Sequence, residues 1–213
     1  MKINEIPIVL HTMDSYHHYW DNWYSLFKKY VKNHGPIYFL SEEKEPSFVN
    51  DVVHIKTGSE EWGYRLLKGL ESIDSDLIFY MQEDFWAVKD IELTDSYLDM
   101  FKDYNMDCLK ICLNSPLISL ESINDTLYKY TQNSKYTLSH QFALWNKEFL
   151  MKNVYPFESP WQNEIYGSDR INESEHNIYY IDNNWYEPVC RQGTLQPIGY
   201  EILKKHNLSF YGK

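Results

Sequence analysis

Two adjacent acids, Glu83 and Asp84, follow a five-residue apolar run of Leu77, Ile78, Phe79, Tyr80 and Met81 and precede an aromatic pair, Phe85 and Trp86. The run is bounded by polar residues and too short for a helix, so it reads as a buried parallel strand. In an open α/β sheet, ligands bind just outside the carboxyl ends of strands, above all where the strand order reverses. Carboxylates placed there suit a hard cation such as Mg²⁺ or Mn²⁺, which takes oxygen ligands and commonly shares one or two protein carboxylates with substrate phosphates. The competing use of Glu83 and Asp84 is to end the strand and cap the next element of the chain.

The elements that must position this pair alternate in type. Residues 6–12 (IPIVLHT) predict a first strand. Asp14 or Ser15 offers an N-cap to a helix that carries Tyr16, Trp20, Trp23, Leu26, Phe27, Tyr30 and Val31 on one face and stops at Gly35. Strands are expected at 36–40 and 51–56. A helix over 60–73, with Trp62, Leu66, Leu67, Leu70 and Ile73 in period, leads into the acidic strand. Strands interleaved with helices imply right-handed crossovers and a mostly parallel sheet covered on both faces. Beyond Trp86 the pattern predicts a helix within 93–104, strands at 107–113, 141–145 and 178–181, and helices at 147–153, 161–172 and 198–206. Residues 114–139 read as loops with short strands. The expected organisation is one α/β domain over 1–213, with halves at about 1–90 and 91–213.

Composition narrows the function classes. A net charge of -11 disfavours a duplex nucleic-acid binder, which would neutralise phosphates with Lys and Arg. No run approaches the roughly 18 apolar residues of a membrane span, and the first residues lack a signal-peptide pattern. Three cysteines without CxxC spacing favour a reducing compartment, so a cytoplasmic location is expected. The 19 Tyr and 7 Trp supply aromatic faces with polar tips that suit sugars, as well as core filling.

The order IPIVLHT, WGYRLLKGL, SDLIFYMQEDFW, HQFALWNKEFL and PWQNEIYGSDRI resembles small glycosyltransferases of the GT-A fold, which occur in bacterial polysaccharide loci and large DNA viruses. The resemblance implies a Rossmann-type α/β sandwich. It implies a UDP-, GDP- or dTDP-linked sugar donor on the amino-terminal half, a glycan acceptor on the other, and Mn²⁺ or Mg²⁺ held by an acidic motif usually written DxD. Here that position reads QEDF, which makes Asp84 the metal ligand with Glu83 assisting. The departure from DxD keeps open a catalytically silent carbohydrate-binding domain. A metal-dependent phosphoester hydrolase is a third reading, but neither a glycine-rich phosphate loop nor a further His/Asp cluster accompanies the acids.

Under the same resemblance Thr12 and Asp14 stand where the nucleoside is touched, although Asp14 has N-capping as a competing use. Arg65 suits phosphate oxygens, or else pairs with a helix-surface carboxylate. An inverting enzyme needs a carboxylate base in the second half of the chain. Glu164 is the first candidate and Asp169 the second; in a helix their spacing lets only one face the site. Arg170 is expected on the diphosphate or a carboxylate, and His140, Gln141, Trp145 and Trp161 on the acceptor side.

Overall fold

A computed structural model describes residues 1–112, 118–132, 134–181 and 185–212. The end of the strand expected at 107–113 and part of the loop expected at 114–139 lie outside these residues. The apolar runs become the strands of one sheet: β1 (Ile8–His11), β2 (Ile37–Ser41), β3 (Val53–Lys56), β4 (Leu77–Met81), β5 (Cys108–Lys110), β6 (Leu120–Ser122), β7 (Leu127–Tyr130), β8 (Ala143–Asn146) and β9 (Ile178–Ile181). Their order is β3-β2-β1-β4-β8-β5-β9-β7-β6. The first four are mutually parallel; β8 runs antiparallel to β4 and β5, and β5 and β9 are parallel again. The fold is thus a mixed α/β sheet, mostly parallel, drawing on both halves of the chain.

Period-two alternation along β4 splits the core. Phe79 and Met81 face α1 (His17–Tyr30), which buries Tyr19, Trp23 and Phe27, while Ile78 and Tyr80 face α2 (Trp62–Glu71), which buries Trp62, Leu66 and Leu70. The first face also receives α3 (Ser96–Asp103) and α7 (Pro197–His206), and the second receives α4 (Lys147–Lys152).

Several boundaries differ from expectation for local reasons. No side chain caps α1: a 3₁₀ turn, Asp14–Tyr16, leads into it. The helix ends at Tyr30 because Val31–Lys32 leaves to pair with Ile91–Glu92. Gly35 serves a close approach, since a Cβ there would lie 2.0 Å from the Ile6 carbonyl oxygen. The helix expected at 161–172 is present, but α5 (Pro160–Gln162) and α6 (Ser168–Asn172) are joined by a π turn, Asn163–Gly167. A short ribbon not anticipated from sequence pairs Phe85–Ala87 with Tyr186–Pro188, and a hairpin comes after it, Cys190–Arg191 with Thr194–Leu195.

Candidate active site

Because β2 and β3 lie on one side of β1 and β4 on the other, strand order reverses between β1 and β4, where such sheets open a crevice. A cavity of about 880 Å³ lies there. Its floor is the end of β1, His11 and Thr12, beside Gln82, Glu83 and Asp84 at the end of β4. His140, Gln141 and the 160–164 turn with Trp161 and Glu164 also line it, as do the hairpin residues Cys190, Arg191 and Gln192. The hairpin reaches the cleft because Val189 N–H donates to the Asp84 carbonyl at 2.8 Å and because Gln192 and Gly193 turn tightly at φ 52° and 77°.

Three carboxylates converge. Glu83 is buried, with burial and then the Asp84 charge raising its pKa, while the Thr12 hydroxyl and Arg65 oppose that rise. Thr12 is itself fixed by the Trp20 indole, whose Nε1 donates to the hydroxyl at 2.9 Å. Asp84 is raised by burial and by Glu164, which puts Asp84 and Glu164 within electrostatic reach across the cleft. Burial raises Glu164 as well, against the His140 N–H, which donates to Oε1 at 3.0 Å, and against Lys110. The imidazoles beside them are uncharged at neutral pH. Burial holds His11 well below the usual histidine range and His140 at about 3, and the Trp62 ring stands 5.3 Å from one imidazole and 4.6 Å from the other.

The Asp84 Oδ1 is buried without a hydrogen-bond partner. A buried carboxylate oxygen with no donor is costly, and a hard cation is the partner that suits it. Among the described residues no group of three or more His, Cys, Asp or Glu is assembled for a metal. Asp84, with Glu83 next to it, could hold only an ion that takes one or two carboxylates and completes its shell from water or a ligand's oxygens.

Of the residues singled out from sequence, Thr12, Glu83, Asp84, His140, Gln141, Trp161 and Glu164 line this cleft. Five stand elsewhere. Asp14 neither caps α1 nor lines the cleft: its Oδ2 accepts from Glu43 N and Lys44 N at 3.1 and 3.0 Å, pinning the loop after β2. Arg65 is buried beneath the floor, donating to the Thr12 and Glu60 carbonyls at 3.1 Å, with Glu42 at 3.9 Å. Trp145 is wholly buried in the core against Phe149. Asp169 is exposed, and Arg170 grips Glu158 through two hydrogen bonds of 2.7 and 2.9 Å.

Sequence reasoning missed His11, Trp62 and Arg191. His11 gives no local sign of what faces it, Trp62 fits the helical period of a core residue, and Arg191 reaches the cleft only through the ribbon. Among the described residues that line the cleft, Arg191 is the one Lys or Arg.

No family model and no curated protein matches the chain. Solved structures do. S. aureus TarS 1–349 in complex with UDP-GlcNAc aligns with a TM-score of 0.59 at 14% identity, over 94% of this chain and 65% of that one. The same protein in complex with UDP gives 0.58 at 14% identity, over 94% and 63%. UDP-glucose pyrophosphorylase complexed with UDP-glucose gives 0.56 at 7% identity, over 95% and 98%. The fold is GT-A-like. The chain spans less than two thirds of TarS 1–349, and among the described residues no helix is long and apolar enough to cross a membrane.

Proposed function

We propose that the cleft binds a nucleotide-diphosphate-sugar and transfers its sugar to a hydroxyl of a glycan or similar acceptor. The observation that carries this reading is the convergence of Glu83, Asp84 and Glu164 on one cavity at the ends of β1 and β4. The likeness to proteins solved with UDP-GlcNAc, UDP and UDP-glucose supports it.

Asp84, with Glu83 behind it, would hold Mn²⁺ or Mg²⁺. When bound, that ion supplies positive charge to the departing nucleoside diphosphate. Arg191, which also lines the cleft, would add a guanidinium to the same anion. Glu164 is the general base. Its carboxylate takes the acceptor O–H proton as that oxygen bonds to the anomeric carbon and the bond from that carbon to the diphosphate breaks. The backbone N–H of His140 orients Glu164. The neutral imidazoles of His11 and His140 and the Trp62 ring offer hydrogen bonds and an apolar face to neutral groups without adding charge.

Incubation with UDP-, GDP- and dTDP-sugars, with and without Mn²⁺, tests the reading. Metal-dependent release of nucleoside diphosphate from one donor is expected. Sugar binding with no turnover would favour the silent carbohydrate-binding domain, and release of nucleoside monophosphate with sugar 1-phosphate a hydrolase.

A further inference from the structure

Residues 155–166 hold several large apolar side chains out of the core. Phe157 is 85% exposed, Trp161 56%, Ile165 53%, and Tyr155 and Tyr166 51% each. Tyr64 joins them from the first turn of α2, because Gly63 N and Tyr64 N donate to the Glu158 and Pro156 carbonyls at 3.1 and 3.0 Å. This is a built surface. Ser159 and Gln162 form a reciprocal capping box with Pro160 at the helix start. Asn163 donates to Glu158 and to the Asn153 carbonyl, and Arg170 binds Glu158 while stacking 3.8 Å from the Tyr155 ring. A π turn widens the helix here, a feature frequent at functional sites. Exposed apolar groups gathered on so short a stretch mark an interaction site.

We propose that this platform binds a neutral oligosaccharide strand and passes it into the cleft. Resting on the transferase reading above, it assigns the acceptor class as an extended neutral glycan rather than a single small molecule. Two observations choose this occupant. Residues 154–168 contain no Lys, Arg or His, and Arg170 is already paired with Glu158, so the segment itself offers no free cation to an anionic polymer or an anionic membrane. The segment's carboxylate without an ion-pair partner, Glu164, and Asp169 just beyond it are acidic, on a chain of net charge -11. The platform is also continuous with the cleft. Pro160 and Trp161 belong to both, and Glu164, three residues after Trp161, lines the cleft from the π turn that follows. A strand stacking its C–H faces on Trp161 would bring its next hydroxyls to Glu164.

The test is capture of the whole protein, without nucleotide, on an array of neutral and anionic oligosaccharides of one to eight sugars. Neutral strands of four or more sugars should be captured, and mono- and disaccharides should not. Phe157→Ala and Tyr166→Ala, neither of which lines the cleft, should weaken capture at least tenfold while donor hydrolysis is unchanged. Failure to capture any neutral strand, preference for anionic ones, or capture unaltered in both variants overturns the proposal. So does self-association or binding to phosphatidylcholine vesicles that these variants abolish, which would assign the face to a second copy or to a membrane. Because the array contains no nucleotide, its failure is distinct from failure of donor turnover, which the sugar-nucleotide panel reads.

Discussion

Asp84 carries a conflict between stability and chemistry. Folding buries it beside Glu83 and within reach of Glu164, and all three pKa values rise above the ordinary carboxylate range. The native state therefore holds more protons than the unfolded chain between that range and the raised values, so stability falls as pH rises through the window. In metal-free buffer Asp84→Asn removes one of the crowded charges. Thermal unfolding should find this variant more stable than the parent at pH 7.5, by about 2–4 °C for each kcal/mol relieved, and the advantage should vanish near pH 5. An Asp84→Asn protein no more stable at either pH would remove the idea of a strained carboxylate cluster. Glu164 makes the complementary prediction on the chemistry. Transfer should fail on its acidic side at a pH above the usual carboxylate range, as the base takes up its proton. Glu164→Gln should lose about 10²-fold or more in turnover, with donor affinity, read by calorimetry, unchanged.

Among the elements, the 153–172 segment decides where Glu164 stands. Its packing rests on Gly167, where a Cβ would meet Leu138 Cδ1 at 2.8 Å, and on the Ser168 hydroxyl, which accepts from Leu138 N and donates to Leu138 O at 3.0 and 3.2 Å. Arg170 and Glu158 close it from the other side, with side chains only 18% and 10% exposed. Burial pushes Glu158 up, yet Arg170 and Asn163 leave it below its ordinary value. Arg170→Ala should cost about 2–3 kcal/mol, less than a fully buried pair because water reaches this one. A melting temperature within about 1 °C of the parent would show that the pair does not hold the segment. Arg170→Lys should recover only part, since an ammonium lacks the planar fork that meets both Glu158 oxygens. These particulars explain what the sequence could and could not disclose. The β4 run and the place of Glu164 on the cleft are legible in the sequence because apolar periodicity, prolines and an acid are local signals. The partners of Asp14 and Arg65 are not, because each lies distant in the chain: Glu43 and Lys44, and the Thr12 carbonyl; of the two partners expected for Arg170, the one found is a carboxylate, Glu158. Trp145 was misplaced because it sits at the Leu77 end of the sheet, pairing with Ile78 rather than with the acidic end.

At the scale of the whole molecule, sheet order and net charge pull against each other. The β3-β2-β1-β4 order opens a crevice suited to a phosphorylated ligand, yet in a chain of charge -11 the described residues line it with three carboxylates and a single arginine. The helix α2 cannot supply the missing charge, because its first N–H groups are taken by the Glu158 and Pro156 carbonyls and Arg65 lies under the floor. A nucleoside diphosphate entering this field without a counter-ion meets net repulsion. Binding should therefore be linked to a divalent cation. In thermal unfolding, UDP alone in EDTA should leave the melting temperature within about 1 °C of the ligand-free value. UDP with Mn²⁺ at a hundred times its dissociation constant should add about 2.7 kcal/mol, or roughly 5–10 °C. Asp84→Asn should abolish that increment even though the variant starts from a higher melting temperature. Equal stabilisation by UDP with and without the ion would mean that Arg191 and backbone donors suffice for the diphosphate, and that the QEDF acids serve the fold rather than a metal.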